Sequence, residues 1–179
     1  MNFPLNASDI PGYDQGQVDA LMARIKTQYK NPERKLITSA MLAVVKFDLV
    51  PGGYQIQLVD DALAKVADTF DQREVERRLR DEGRAAIAGE LTQLLNIIRP
   101  VLERRAKESF GLQRNGYSRK LVSALLRRIS VKRGEVSAPE PYELRTMNLG
   151  RSGSGFERSE VDEFLGVVIG AIHRQRALR

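Results

Sequence analysis

Apolar positions along this chain fall into four runs with helical spacing, and each run is entered through the same short signature. The runs are Val18, Leu21, Ile25; Val59, Leu63, Val66, Phe70; Val122, Leu125, Leu126, Ile129; and Val161, Phe164, Leu165, Val168. Offsets of three, four and seven put these side chains on one face of a helix. Ahead of each run stands a glycine followed by an aromatic ring: Gly12-Tyr13, Gly53-Tyr54, Gly116-Tyr117 and Gly155-Phe156. Four residues separate the ring from the opening valine in every copy. At about 7% usage for each residue type, roughly 0.06 such strings are expected by chance in a chain of this length. Four copies therefore indicate a duplicated unit. An apolar-x-Leu triplet precedes each copy: Phe3-Pro4-Leu5, Phe47-Asp48-Leu49, Phe110-Gly111-Leu112 and Met147-Asn148-Leu149. The predicted unit is an extended arm, a glycine turn and an amphipathic helix.

A glycine directly before the ring suits either a positive φ or a close backbone approach, and the ring can then fold over the helix start. Asp14 and Gln17 have the spacing of a capping box. Asp19, Asp60 and Asp162 follow the valine in three copies, where a carboxylate meets the positive end of the helix dipole; the third copy has Ser123. These roles make Gly12, Tyr13, Val18, Gly53, Tyr54, Val59, Gly116, Tyr117, Val122, Gly155, Phe156 and Val161 a structural signature, and the triplet leucines are expected in the core.

Residues 71–109 have a different character. Asp71 to Arg80 continues the second helix with mixed charge, and Gly83 interrupts it. Ala86, Ile87, Leu91, Leu94, Leu95 and Ile98 then form an apolar face, and Pro100 is expected to begin a new helical segment. Lys30-Asn31-Pro32 breaks the first helix, and residues 37–45 form a short one. Gly134 to Tyr142, with two prolines, reads as a linker, and Gly150 to Gly155 as a flexible loop. The expected fold is all-α with short extended arms: a first pair of repeats over 1–70, a charged helical insert over 71–109 and a second pair over 110–179. A unit this small cannot bury its apolar face alone, so neighbouring or exchanged units must cover it. A homodimer is expected, with Leu91, Leu94, Leu95 and Ile98 at its interface or, alternatively, in the core of one chain.

On these motifs the chain resembles the DivIVA domain, a bacterial cell-division and polar-growth module. The family pattern is a short helix, a Phe, a variable loop, Gly-Tyr, an acidic cap and Val-Asp before an apolar helical run. Ile37-Thr38 through Phe47, Gly53-Tyr54 and Val59-Asp60 match it, as do Gly12-Tyr13-Asp14 with Val18-Asp19 and Gly155-Phe156 with Val161-Asp162. Gly116-Tyr117 with Val122-Ser123 diverges. The resemblance covers a little over half the chain and implies a scaffold or adaptor that works through protein contacts. It also implies anionic membrane binding by an apolar residue and basic neighbours before Gly-Tyr, for which Leu49, Val50, Leu112 and Arg114 are best placed. Family members usually continue into a long dimerising coiled coil, whereas this chain has no sustained heptads.

Charge adds a second candidate feature. The net charge is +6, and residues Val101 to Arg133 carry ten basic side chains against two acidic ones: Arg104, Arg105, Lys107, Arg114, Arg119, Lys120, Arg127, Arg128, Lys132 and Arg133 against Glu103 and Glu108. Arg114, Arg119, Lys120, Arg127 and Arg128 form the candidate patch for an anionic partner, which could be lipid, protein or, in the alternative reading, nucleic acid. The C-terminal run from His173 to Arg179 reads as a frayed helix end. Catalysis finds no support: there is one histidine, no cysteine, and neither a phosphate-binding loop nor a nucleophile elbow. No cofactor, metal or small-molecule substrate is expected. Without a signal peptide or an apolar run long enough to span a bilayer, the expected location is the cytoplasm, including the inner membrane face.

Overall fold

The computed structural model describes residues 3–31, 37–104 and 106–179. Pro32, read as a helix breaker, and Arg105 of the basic run lie outside the described residues. The chain forms two compact units, residues 1–70 and 71–179.

In the first unit, strand β1 (Pro11–Tyr13) leads into helix α1 (Gln15–Lys30), followed by α2 (Ser39–Val44), β2 (Leu49–Pro51) and α3 (Ile56–Glu82), which ends in the second unit. Strand β1 pairs antiparallel with β2, setting Tyr13 opposite Leu49, and single bridges join Tyr13 to Tyr54 and Tyr54 to Leu5. The arm of each repeat therefore lies beside the Gly-Tyr of the other, with the two Gly-Tyr segments crossing between them. Val18, Val59, Ile25, Leu63 and Tyr54 are buried beneath this crossing with Ile37 and Leu42. Two glutamines complete stray backbone groups. Gln28 bonds both the N–H and the C=O of Ile37 at 2.7 Å, and Gln17 accepts from the Asp48 N–H at 2.8 Å. The capping box is thus half made: Asp14 accepts from the Gln17 N–H at 2.8 Å, but the Gln17 side chain turns to the other repeat.

The second unit contains α4 (Arg84–Glu103), α5 (Ala106–Ser109), β3 (Leu112–Gln113), β4 (Gly116–Tyr117), α6 (Arg119–Leu126), β5 (Ser130–Lys132), β6 (Glu135–Ser137), α7 (Pro141–Thr146), β7 (Arg151–Ser152), β8 (Gly155–Phe156) and α8 (Arg158–Ala177). Its main sheet has the order β3-β8-β4-β7, so neither arm pairs with its own Gly-aromatic strand. Leu112 lies opposite Phe156, Arg151 opposite Tyr117, and Tyr117 opposite Phe156. This is the crossing of the first unit again. Gly83, with φ of 86°, separates α3 from α4. Leu95 and Ile98 of α4 are buried with Phe164, Val168 and Ile172 of α8, and Leu91 and Leu94 pack against the same cluster. The side chains considered for a dimer interface therefore lie in the core of one chain.

Several expectations need correction. The fold is mixed rather than all-α: helix accounts for 63% and strand for 13%, in three small antiparallel sheets among the described residues. The arms pair as strands because exchange gives each a backbone partner. The supposed linker supplies a hairpin: β5 and β6 set Val131 opposite Val136 around Arg133-Gly134, both at positive φ. Gln175 then bonds the Val136 N–H at 2.6 Å and C=O at 3.2 Å from its other side. Residues 150–155 are likewise no loose loop, since they carry β7 and the start of β8. Helix α4 runs through Pro100 without starting afresh.

The C-terminus is a packed helix to Ala177, with His173 only 2% exposed. Burial holds its imidazole down to about 4 from the ordinary 6.5, with Asp71 opposing and Arg145, Arg176 and Arg174 adding. Below the ordinary value the unfolded chain takes up a proton that the folded chain refuses. Stability present above pH 6.5 is therefore lost as pH falls toward 4, by up to about 3 kcal/mol. Because His173 is the only histidine, urea midpoints should drop between neutrality and about pH 5, and His173→Gln should flatten that slope. Equal slopes in both proteins would refute the assignment.

Candidate interaction surface

The signature residues meet at the two crossings. Gly12, Gly53, Gly116 and Gly155 are all buried, and none has a positive φ. A Cβ on Gly12 would stand 2.4 Å from the Tyr54 carbonyl oxygen, and one on Gly116 2.3 Å from that of Phe156. Close backbone approach, not turn geometry, therefore demands glycine. Val18, Val59, Val122 and Val161 are each at most 1% exposed. Rings are exchanged along with arms: Tyr54 packs on Phe3 at 5.5 Å, Tyr13 on Phe47 at 5.0 Å and Phe156 on Phe110 at 5.7 Å.

Hydroxyls and carboxylates are exchanged too. Tyr13 donates to Asp60 at 3.1 Å, Tyr54 to both oxygens of Asp19 at 3.3 Å, and Tyr117 to Asp162 at 2.9 Å. The aspartates after the valines thus serve the partner repeat's ring in addition to their own helix. Burial first, and then the facing carboxylate, raises all three tyrosines above their ordinary value and keeps them donors. Burial also raises Asp60, against the Tyr13 hydrogen bond and with help from Asp61. The fourth possible pair is absent on both sides at once. Its ring is Phe156, with no hydroxyl, and its acceptor position is Ser123, with no carboxylate.

The triplet leucines do not behave as core. Leu5, Leu49 and Leu112 are 51%, 58% and 55% exposed, whereas Leu149 is buried. The fourth arm is offset: Leu149 precedes Gly155 by six residues, as Phe47 precedes Gly53 and Phe110 precedes Gly116, so Leu149 takes the inward place of the phenylalanine. Arg151 then occupies the outward place of the leucines, opposite Tyr117.

All five patch residues are exposed. Arg114 sits in the turn after β3, Arg119 and Lys120 open α6, and Arg127 and Arg128 follow its end. Arg128 lies 3.9 Å from Glu143, both well exposed, a pairing of little consequence. Cations in the first turn of α6 oppose its dipole, so helix stability does not account for Arg119 and Lys120. Leu121, 42% exposed, is missing from the expected surface. Its signal was its place beside Lys120 and one step off the apolar stripe that starts at Val122. Among the described residues no group of acidic and histidine side chains could hold a metal ion, and no helix is long and apolar enough to cross a membrane. No protein-family model, curated protein or solved structure matches the chain.

Proposed function

We propose that the protein is a non-enzymatic, DivIVA-like scaffold of bacterial cell division or polar growth, acting through protein contacts and at the anionic inner face of the membrane. The observation that carries this reading is the segment Leu112–Leu121, whose two exposed leucines stand at its ends and bracket the exposed cations Arg114, Arg119 and Lys120. An apolar tip flanked by basic side chains suits an anionic interface, with roughly 1 kcal/mol from each cation near the surface and further gain from inserted apolar area. The crossing of the second unit holds this segment in place, with the strands on either side of Arg114 both paired to β8.

Liposome sedimentation tests the reading. Wild-type protein should pellet with anionic vesicles and poorly with neutral ones. Arg119→Glu with Lys120→Glu should keep the melting temperature and weaken anionic binding at least tenfold. If wild type ignores anionic vesicles at low salt but retards nucleic acid in a mobility assay, the basic second half binds nucleic acid instead. Salt dependence alone does not separate the two, because both attractions are screened.

A further inference from the structure

The divergent third repeat borders a pocket that the crossing does not use. It has a volume of about 320 Å³ and is walled by Val101 and Leu102 of α4, Ala106 of α5, and Leu126 and Ile129 beside α6, with Ser123, Arg104 and Arg127 supplying the polar groups. Arg104 and Arg127 are exposed and take part in no ion pair among the described residues. Ser123 stands at the position that carries aspartate in the other three repeats, namely Asp19, Asp60 and Asp162. A carboxylate there would put negative charge on the pocket wall. Its replacement by a hydroxyl leaves apolar walls, one neutral donor-acceptor and two unpaired guanidiniums, within a stretch of ten basic residues against two acidic.

We infer that this pocket docks an acidic segment of a partner protein through an inserted aliphatic or aromatic side chain, with flanking carboxylates on Arg104 and Arg127. The inference rests on the reading of the protein as a scaffold working through protein contacts. Charge complementarity selects the acidic flanks, since guanidinium and carboxylate pair in a planar, two-pronged geometry. Size selects the anchor: the volume lies at the lower end of ligand pockets and suits one or two buried side chains, the usual core of a peptide interface. A recessed pocket is a poor membrane contact, because bilayer insertion uses protruding groups such as Leu112. The simultaneous loss of the Tyr hydroxyl at Phe156 explains how Ser123 can depart from aspartate without leaving a buried donor unmatched.

Selection from a random peptide library displayed on phage tests this, since it requires no named partner. Peptides selected on the full chain should be rich in Asp and Glu around a Leu, Ile or Phe. A synthetic copy of the most enriched peptide, followed by fluorescence anisotropy, should bind Ser123→Asp and Arg127→Glu at least tenfold more weakly than wild type. Ser123→Ala, which removes the hydroxyl but adds no charge, should weaken binding far less than Ser123→Asp does, and melting curves should show all three variants folded. No enrichment, enriched peptides lacking acidic residues, or equal binding to Ser123→Asp would each overturn the inference. So would Ser123→Asp weakening anionic-vesicle binding as strongly as peptide binding, which would make lipid the occupant. Vesicle binding that is lost while peptide binding persists would instead refute the membrane part of the proposed function and leave the pocket standing.

Discussion

Gly12→Ala should destabilise the first crossing by about 3 kcal/mol or more, the range reserved for substitutions with a specific structural clash. Its new methyl would stand 2.4 Å from the Tyr54 carbonyl oxygen and 2.6 Å from the Gly53 carbonyl carbon, both main-chain atoms of the other repeat. No side-chain rotation relieves such a contact. The strands must part, which breaks the reciprocal bonds from the Tyr13 N–H to the Tyr54 C=O and from the Tyr54 N–H to the Tyr13 C=O, each 2.9 Å. Those two bonds are worth about 1 kcal/mol each, and parting also lifts both rings from the arm phenylalanines. Urea denaturation followed by circular dichroism measures the loss. A midpoint equal to wild type would show that the backbones are not in the contact described.

Tyr54→Ala should cost about 3–5 kcal/mol, as expected for deleting a buried ring. Tyr54 is 5% exposed, lies edge-on to Phe3 and reaches the Asp19 carboxylate with its hydroxyl. Tyr54→Phe keeps the packing and should lose only about 0.5–1.5 kcal/mol. The second crossing already contains that substitution, as Phe156 opposite Ser123. Thermal melting of the two variants separates ring from hydroxyl. An unchanged melt of Tyr54→Ala, accompanied by lost partner binding, would make this ring a recognition residue instead of a structural one.

Repeats, helix ends and the glycine requirement were legible because each is written in local spacing. Val18 and its counterparts mark the inward face of each helix, and α1 and α3 end at Lys30 and beside Gly83 as read, whereas Pro100 and the C-terminal run misled. Exchange was less visible, because strands of two or three residues carry no alternation from which to read a partner. Matching Met147 and Leu149 to the Phe and Leu of the other arms sets the fourth arm out of register, although the six-residue spacing from Leu149 to Gly155 contained the answer. The β5–β6 hairpin also had a readable signal, Val131 and Val136 in symmetric places around Arg133-Gly134, which the nearby prolines obscured. The exposed cations of α6 could be named from the sequence. The pocket beside Arg127 could not, since Arg104 and Ser123 are brought together only by the packing of helices.

The crossings also bear on how the chain reaches its folded state. Tyr13 meets Asp60 across 47 residues, Tyr54 meets Asp19 across 35, and Tyr117 meets Asp162 across 45. Each helix can form from neighbours in sequence, but no ring is covered until a distant arm arrives. Such long closures raise contact order and slow folding relative to other helix-rich proteins. During synthesis, the leading repeat of each pair emerges with its arm unpaired and its ring uncovered, waiting for the second. In that interval the same arm could be taken by another nascent chain, so the device that seals each unit is also the one most open to domain swapping.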